Sequence, residues 1–77
     1  MLFVRHAGSR TLFRWQMNQT AEIVGFNLFR GTHQLNRSLV RVHTALRYHY
    51  TVRHADHGPY TLHIVLTDGR EIIVPSS

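Results

Sequence analysis

The chain has 77 residues, 43% of them hydrophobic and none of them Cys, which bounds it to one small domain held by packing alone, without disulfides, thiolate metal sites or a cysteine nucleophile. Nine basic residues, every one Arg, stand against four acids (Glu22, Asp56, Asp68 and Glu71), a formal charge of +5 before any of the seven His is protonated. That balance nominates nucleic acid, an acidic polysaccharide or an acidic protein as partner, and no window approaches the ~20 apolar residues of a membrane-spanning helix.

The dominant period is two, the period of a half-buried strand. Leu2-Phe-Val-Arg5 reads as a first short strand, with Gly8-Ser9 as the turn after it. Thr11 to Met17 places Phe13, Trp15 and Met17 on one face and Arg14 and Gln16 on the other. The polar run Asn18 to Glu22 leads to Gly25–Arg30, where Phe26 and Leu28 share one face and Asn27 and Phe29 the other. Gly31 to Asn36 reads as a loop and Ser38 to Val42 as a short β-branched strand. Leu35, Leu39, Val42 and Leu46 do recur at helical spacing, but Ser38, Val40, His43 and Thr44 are weak helix formers and no Gly closes the run, which argues against a helix. Tyr48 to Val52 alternates with His49 and Thr51 outward, Asp56 to Pro59 is a turn, and Tyr60 to Leu66 points Tyr60, Leu62, Ile64 and Leu66 inward. Thr67-Asp-Gly-Arg70 is the strongest local signal: Asp-Gly between two apolar runs predicts a type I′ hairpin into a last strand, Glu71–Val74, closed by Pro75. Seven short strands with frequent turns predict an all-β sandwich or small barrel in which residues 1–77 form a single domain.

Five of these segments, taken in order, resemble the fibronectin type III family. Thr11-x-Phe13-x-Trp15 is similar to its second strand, whose Trp packs in the core, and Val24-Gly-Phe-Asn-Leu-Phe-Arg30 to the third strand of a bacterial subgroup. Leu39–Val42 resembles the short strand that follows, Tyr48–Thr51 the fifth, and Gly58–Ile64 with Asp68-Gly69 the sixth and its hairpin. Most sandwich domains are longer, near 100 residues; here the first strand and the Gly31–Asn36 loop are short and the Pro-rich entry of the family is missing. The resemblance implies a seven-stranded, immunoglobulin-like β-sandwich, with Tyr60 as a corner tyrosine whose hydroxyl is anchored on backbone. It further implies a spacer or binding module with no catalytic site. It points outside the cell or to its envelope, whereas Met1 to Arg5 lacks the basic region and long apolar run of a signal peptide and points inside.

The chemistry-bearing residues are sparse. His54-Ala-Asp-His57 offers two imidazoles and a carboxylate, at most three zinc ligands, and reads as exposed loop residues. Ser, His and Asp are all present, but no Gly-x-Ser-x-Gly elbow, acid pair or clustered glycine occurs, so no enzyme, cofactor or metal is expected. Asn18-Gln-Thr20 and Asn36-Arg-Ser38 match the N-glycosylation pattern in expected loops.

Two surfaces carry the functional expectation. On a sandwich, Phe29, His63, Val65 and Ile73 emerge together on one outer face as an apolar stripe suited to a protein partner or a second copy of the chain. On the other outer face Arg14 and Gln16 lie beside His49, Thr51 and Arg53, with Arg41 and Arg47 near the edge, a face suited to phosphate or carboxylate groups. The inward direction of Phe13, Trp15, Tyr48 and Tyr50 argues against stacking platforms for bases. The sequence therefore predicts a non-catalytic protein-interaction or structural module, with Arg-mediated binding of nucleic acid or acidic polysaccharide as the alternative.

Overall fold

The period-two runs form two antiparallel sheets in a computed structural model, which describes residues 1–53 and 57–76. The strands are β1 (Leu2–Ala7), β2 (Arg10–Gln16), β3 (Ile23–Arg30), β4 (His33–Gln34), β5 (Val40–Arg41), β6 (Arg47–Arg53), β7 (Tyr60–Leu66) and β8 (Glu71–Pro75). One sheet has the order β1-β2-β6; the other has five strands, β4-β3-β7-β8 with β5 also pairing β3. The protein is thus an all-β sandwich, and no helix occurs among the described residues.

The inward rows meet as one core. Phe13, Trp15 and Tyr48 from the three-stranded sheet pack against Phe26, Leu28, Tyr60, Leu62 and Ile64 from the other. Trp15 is 2% exposed, stacks on Tyr48 with ring centroids 6.0 Å apart, and meets Phe26 edge-on at 5.4 Å. A bulge in β3 at Val24 resets the alternation, since Ile23 pairs with Leu66 but Gly25 with Val65. Without that extra residue Ile23 would face away from Phe26; with it, both are buried.

The turns follow local chemistry. Gly8 takes φ 63° as the first central residue of the two-residue link between Ala7 and Arg10, the geometry of a type II′ turn. The expected type I′ turn at Asp68-Gly69 is replaced by a three-residue loop. Gly69 N–H donates to Leu66 O at 3.0 Å, Leu66 N–H donates to Arg70 O at 2.9 Å, and within the loop only Gly69 has positive φ, at 90°. That is a type I turn closed by a glycine bulge, which needs one left-handed residue where type I′ needs two.

The edge of β3 departs further from expectation. The loop expected over Gly31–Asn36 contains an eighth strand, β4, because the chain reverses at Gly31 (φ 59°) and pairs His33 with Arg30 and Gln34 with Phe29. Then Asn36 leaves the ladder and its side chain takes over the pairing. Its Oδ1 accepts from Leu28 N–H at 2.8 Å, and its Nδ2 lies 2.9 Å from Ser38 O, 2.9 Å from Asn27 Oδ1 and 3.5 Å from Phe26 O. Of the expected Ser38–Val42 strand, Val40–Arg41 then pairs with β3, and the Val42 N–H donates to Val24 O at 3.1 Å. Asn36 is 2% exposed, so the second glycosylation match is closed in the folded chain.

The tyrosine expectation is corrected. Tyr60 is buried, but among the described residues its hydroxyl has no hydrogen-bond partner, and neither does the Trp15 indole N–H. The hydroxyl anchored on backbone is that of Tyr48, which lies 2.7 Å from Ala45 O and 3.0 Å from His43 O and accepts from His43 N–H at 3.2 Å. Tyr48→Phe is therefore expected to cost about 1–2 kcal/mol, and Tyr60→Phe to be neutral or stabilising, in chemical denaturation. A corner-tyrosine role for Tyr60 gives the reverse order. Asn36→Ala is expected to cost about 1–3 kcal/mol by leaving the Leu28 N–H buried without an acceptor, with loss of amide-exchange protection at Leu28 as the site-specific readout.

Candidate functional site

The register of β1, β2 and β6 determines what the three-stranded sheet shows to solvent. Leu2, Val4, Thr11, Phe13, Trp15, Tyr48, Tyr50 and Val52 point to the core side, so their neighbours point out. The outer face consists of four cross-strand rows: Ala7, Arg10 and Arg53; Arg5, Leu12 and Thr51; Phe3, Arg14 and His49; and Gln16 with Arg47. Same-face residues repeat about every 7 Å along a strand, so at least one guanidinium stands in every row of a track about 20 Å long. Arg5, Arg10, Arg14, Arg47 and Arg53 are all exposed.

No described acidic residue lies on this face. Glu22 precedes β3, and Asp68 and Glu71 belong to the β7–β8 hairpin of the opposite sheet. Those two are already engaged: the Arg70 N–H donates to Asp68 Oδ1 at 3.0 Å and Arg70 Nε to Oδ2 at 2.7 Å, while Glu71 Oε1 lies 3.1 Å from His63 Nδ1. Five of the nine Arg thus share one face with no carboxylate partner among the described residues. Neighbouring rows lie within the ~8 Å screening length at physiological salt, so the five cations repel one another.

The sequence-predicted basic residues divide on this geometry. Arg14, Arg47 and Arg53 belong to the face. Arg41 does not, because β5 pairs with β3, opposite Gly25 in the other sheet. Sequence reasoning missed Arg5, Arg10 and Phe3. Phe3 is 49% exposed in the middle of the track, across from Arg14. Shallow hollows lie on either side of it, one of about 230 Å³ lined by Phe3, Arg14, Gln16 and Arg47 among others, and one of about 330 Å³ lined by Phe3, Arg5, Leu12 and Arg14 with Val4. Leu2, Phe3 and Val4 are all apolar, so no alternation phases β1 in the sequence; the pairing of Leu2 with Trp15 places Phe3 and Arg5 outward.

The opposite face brings Phe29, His63, Val65 and Ile73 to the outside of the five-stranded sheet, but not as a fully exposed stripe. Phe29, His63 and Val65 are half-buried. The Phe29 and His63 rings lie 4.1 Å apart, and Leu39 crosses so close to Gly25, beside Val65, that a Cβ there would sit 2.7 Å from its Cγ. Ile73 alone of the four is largely open, at 59%.

Among the described residues no three potential ligands assemble a metal site. Of the His54–His57 motif, residues 54–56 lie outside the described residues. Comparison with protein-family models, with curated proteins and with solved structures returns no match.

Hydrogen bonds from the Arg70 backbone and then its guanidinium hold the Asp68 carboxyl below its ordinary value of 3.8. A depressed carboxyl stabilises the fold above the unfolded value and loses that contribution as pH falls through the folded one. The stability difference between the native chain and Asp68→Asn is expected to be present at neutral pH and to shrink below about pH 4, measured by denaturant midpoints across the acid range.

Proposed function

We propose that the chain is a non-catalytic binding module that takes a linear polyanion on the outer face of its three-stranded sheet. The observation carrying this reading is the segregation of charge: Arg5, Arg10, Arg14, Arg47 and Arg53 on one face, with every described acid elsewhere. Guanidinium forks suit phosphate, sulfate and carboxylate oxygens, and bringing an anion onto the face relieves the repulsion among them. The fold reading that accompanies it is an immunoglobulin-like sandwich of the fibronectin type III kind. Its support is the partition of the seven strands expected from the sequence: the first, second and fifth (β1, β2, β6) lie in one sheet, the third, sixth and seventh (β3, β7, β8) in the other. The short fourth element attaches to β3 rather than to β6.

A second reading, contact with a protein through the opposite face, is favoured by Ile73, which pairs with the outward His63 and is 59% exposed on the edge strand β8. The two readings separate by salt. Polyanion binding weakens steeply as salt rises, whereas contact through an apolar edge does not. Arg14→Glu and Arg53→Glu are each expected to lower the salt needed to elute the protein from heparin resin, and Arg41→Glu to lower it less. Equal elution of all three variants and the native chain assigns the Arg face to solvent and removes the polyanion reading.

A further inference from the structure

We infer that the polyanion is a single-stranded nucleic acid, with Phe3 as the platform on which a base stacks; this rests on the polyanion reading and adds a ligand class to it. A sulfated or uronic polysaccharide asks a protein only for cations in a suitable array. The face offers more than that. At its centre, in the row of Arg14 and His49, the Phe3 ring is half-exposed to solvent. Phe3 has no ring partner among the described residues, whereas the buried rings of Phe13, Trp15, Phe26 and Tyr48 each pack on another. Its two sides are the hollows already described, each rimmed by guanidiniums: Arg14 and Arg47 on one side, Arg5 and Arg14 on the other.

That arrangement matches how single strands are held without sequence readout. Cations follow the sugar–phosphate chain, and an aromatic face receives a base beside it. The rows place the cations along the strand direction and the ring within the same track, so one extended strand meets both. Arginine planes can themselves stack on bases, and the face contains no Lys. A duplex keeps its bases paired and stacked inside, out of reach of a ring on a sheet surface, so it can use the arginines but not Phe3. The inward Phe13, Trp15, Tyr48 and Tyr50 remain core residues, and the stacking function falls to the aromatic that alternates with them across β1.

The test uses the full chain and a labelled oligothymidylate of about 12 nucleotides, within the footprint of small β-folds on single strands, with fluorescence anisotropy read over a salt series. Phe3→Ala is expected to weaken binding about 5- to 100-fold at every salt concentration, the loss of one stacked base. Phe3→Trp is expected to retain affinity and to add a tryptophan emission that the oligonucleotide quenches. Arg14→Gln is expected to lower the slope of log affinity against log salt by about 0.7, and Phe3→Ala to leave that slope unchanged. Elution of Phe3→Ala from heparin, and its binding to a duplex of equal length, are expected to equal those of the native chain. If Phe3→Ala, folded by its thermal transition, binds the oligonucleotide as the native chain does while Arg14→Gln does not, the single-strand inference fails and the polyanion reading stands. If Phe3→Ala does not fold, Phe3→Leu and Phe3→Trp decide: equal affinity of the two, with no quenching of the new tryptophan, overturns the inference. If neither the Phe3 nor the Arg14 variants alter binding or elution, both readings fall together.

Discussion

The contact of aromatic rings across the two sheets fixes everything outside them. Trp15 and Tyr48 are stacked neighbours in one sheet, and Phe26 of the other meets both, its ring 4.7 Å from Tyr48. At the far end Phe13 closes on Tyr60 edge-to-face at 5.1 Å. Each such pair adds roughly 0.5–1.5 kcal/mol beyond its buried area. More important here is phase. With Phe13 and Trp15 held inward, Arg10, Arg14 and Gln16 have no direction left but outward, and the partners Arg53, His49 and Arg47 on β6 follow. The basic face is thus the reverse side of the aromatic core, and a one-residue slip would destroy both at once.

That core holds two polar atoms without partners among the described residues, the Trp15 N–H and the Tyr60 hydroxyl, in a chain short of surface to bury. The chain is more exacting at its sheet edge. Leu28 lies between the parts of β3 covered by β4 and by β5, where no strand arrives to accept its N–H. The Asn36 amide fills the gap, accepting and donating as a peptide group would. One buried side chain thereby replaces the pairing that the two-residue strands β4 and β5 are too short to complete.

Strand alternation was legible wherever large apolar residues fixed the phase, and β7 matches its expected bounds of Tyr60 to Leu66. It was illegible in β1, where Leu2, Phe3 and Val4 are all apolar and the period of two does not show; the phase comes only from pairing Leu2 with Trp15. Phe3 and Arg5 were missed for that reason. Arg41 was misplaced because a two-residue strand has no periodicity to read, and its sheet is set by the close approach of Leu39 and Val40 to Gly25. The anchored hydroxyl went to the wrong tyrosine because the backbone that Tyr48 reaches, His43 to Ala45, is nearby in sequence but positioned only by the tertiary path after β5.

The bridge between Leu2 and Ser76, with the Ser76 N–H bonded to Tyr60 O at 3.0 Å, sets the start of β1 beside the end of β8. Modules strung into extended rods take the chain in at one pole and release it at the other. Here entry and exit are a single place, and the molecule's long dimension of 35 Å does not separate them. In a longer polypeptide such a unit would hang from the main path as a side appendage, adding almost no length to it. It could be grafted into a surface loop of a host, or opened at Gly8-Ser9 after its ends were joined, with little disturbance to either partner.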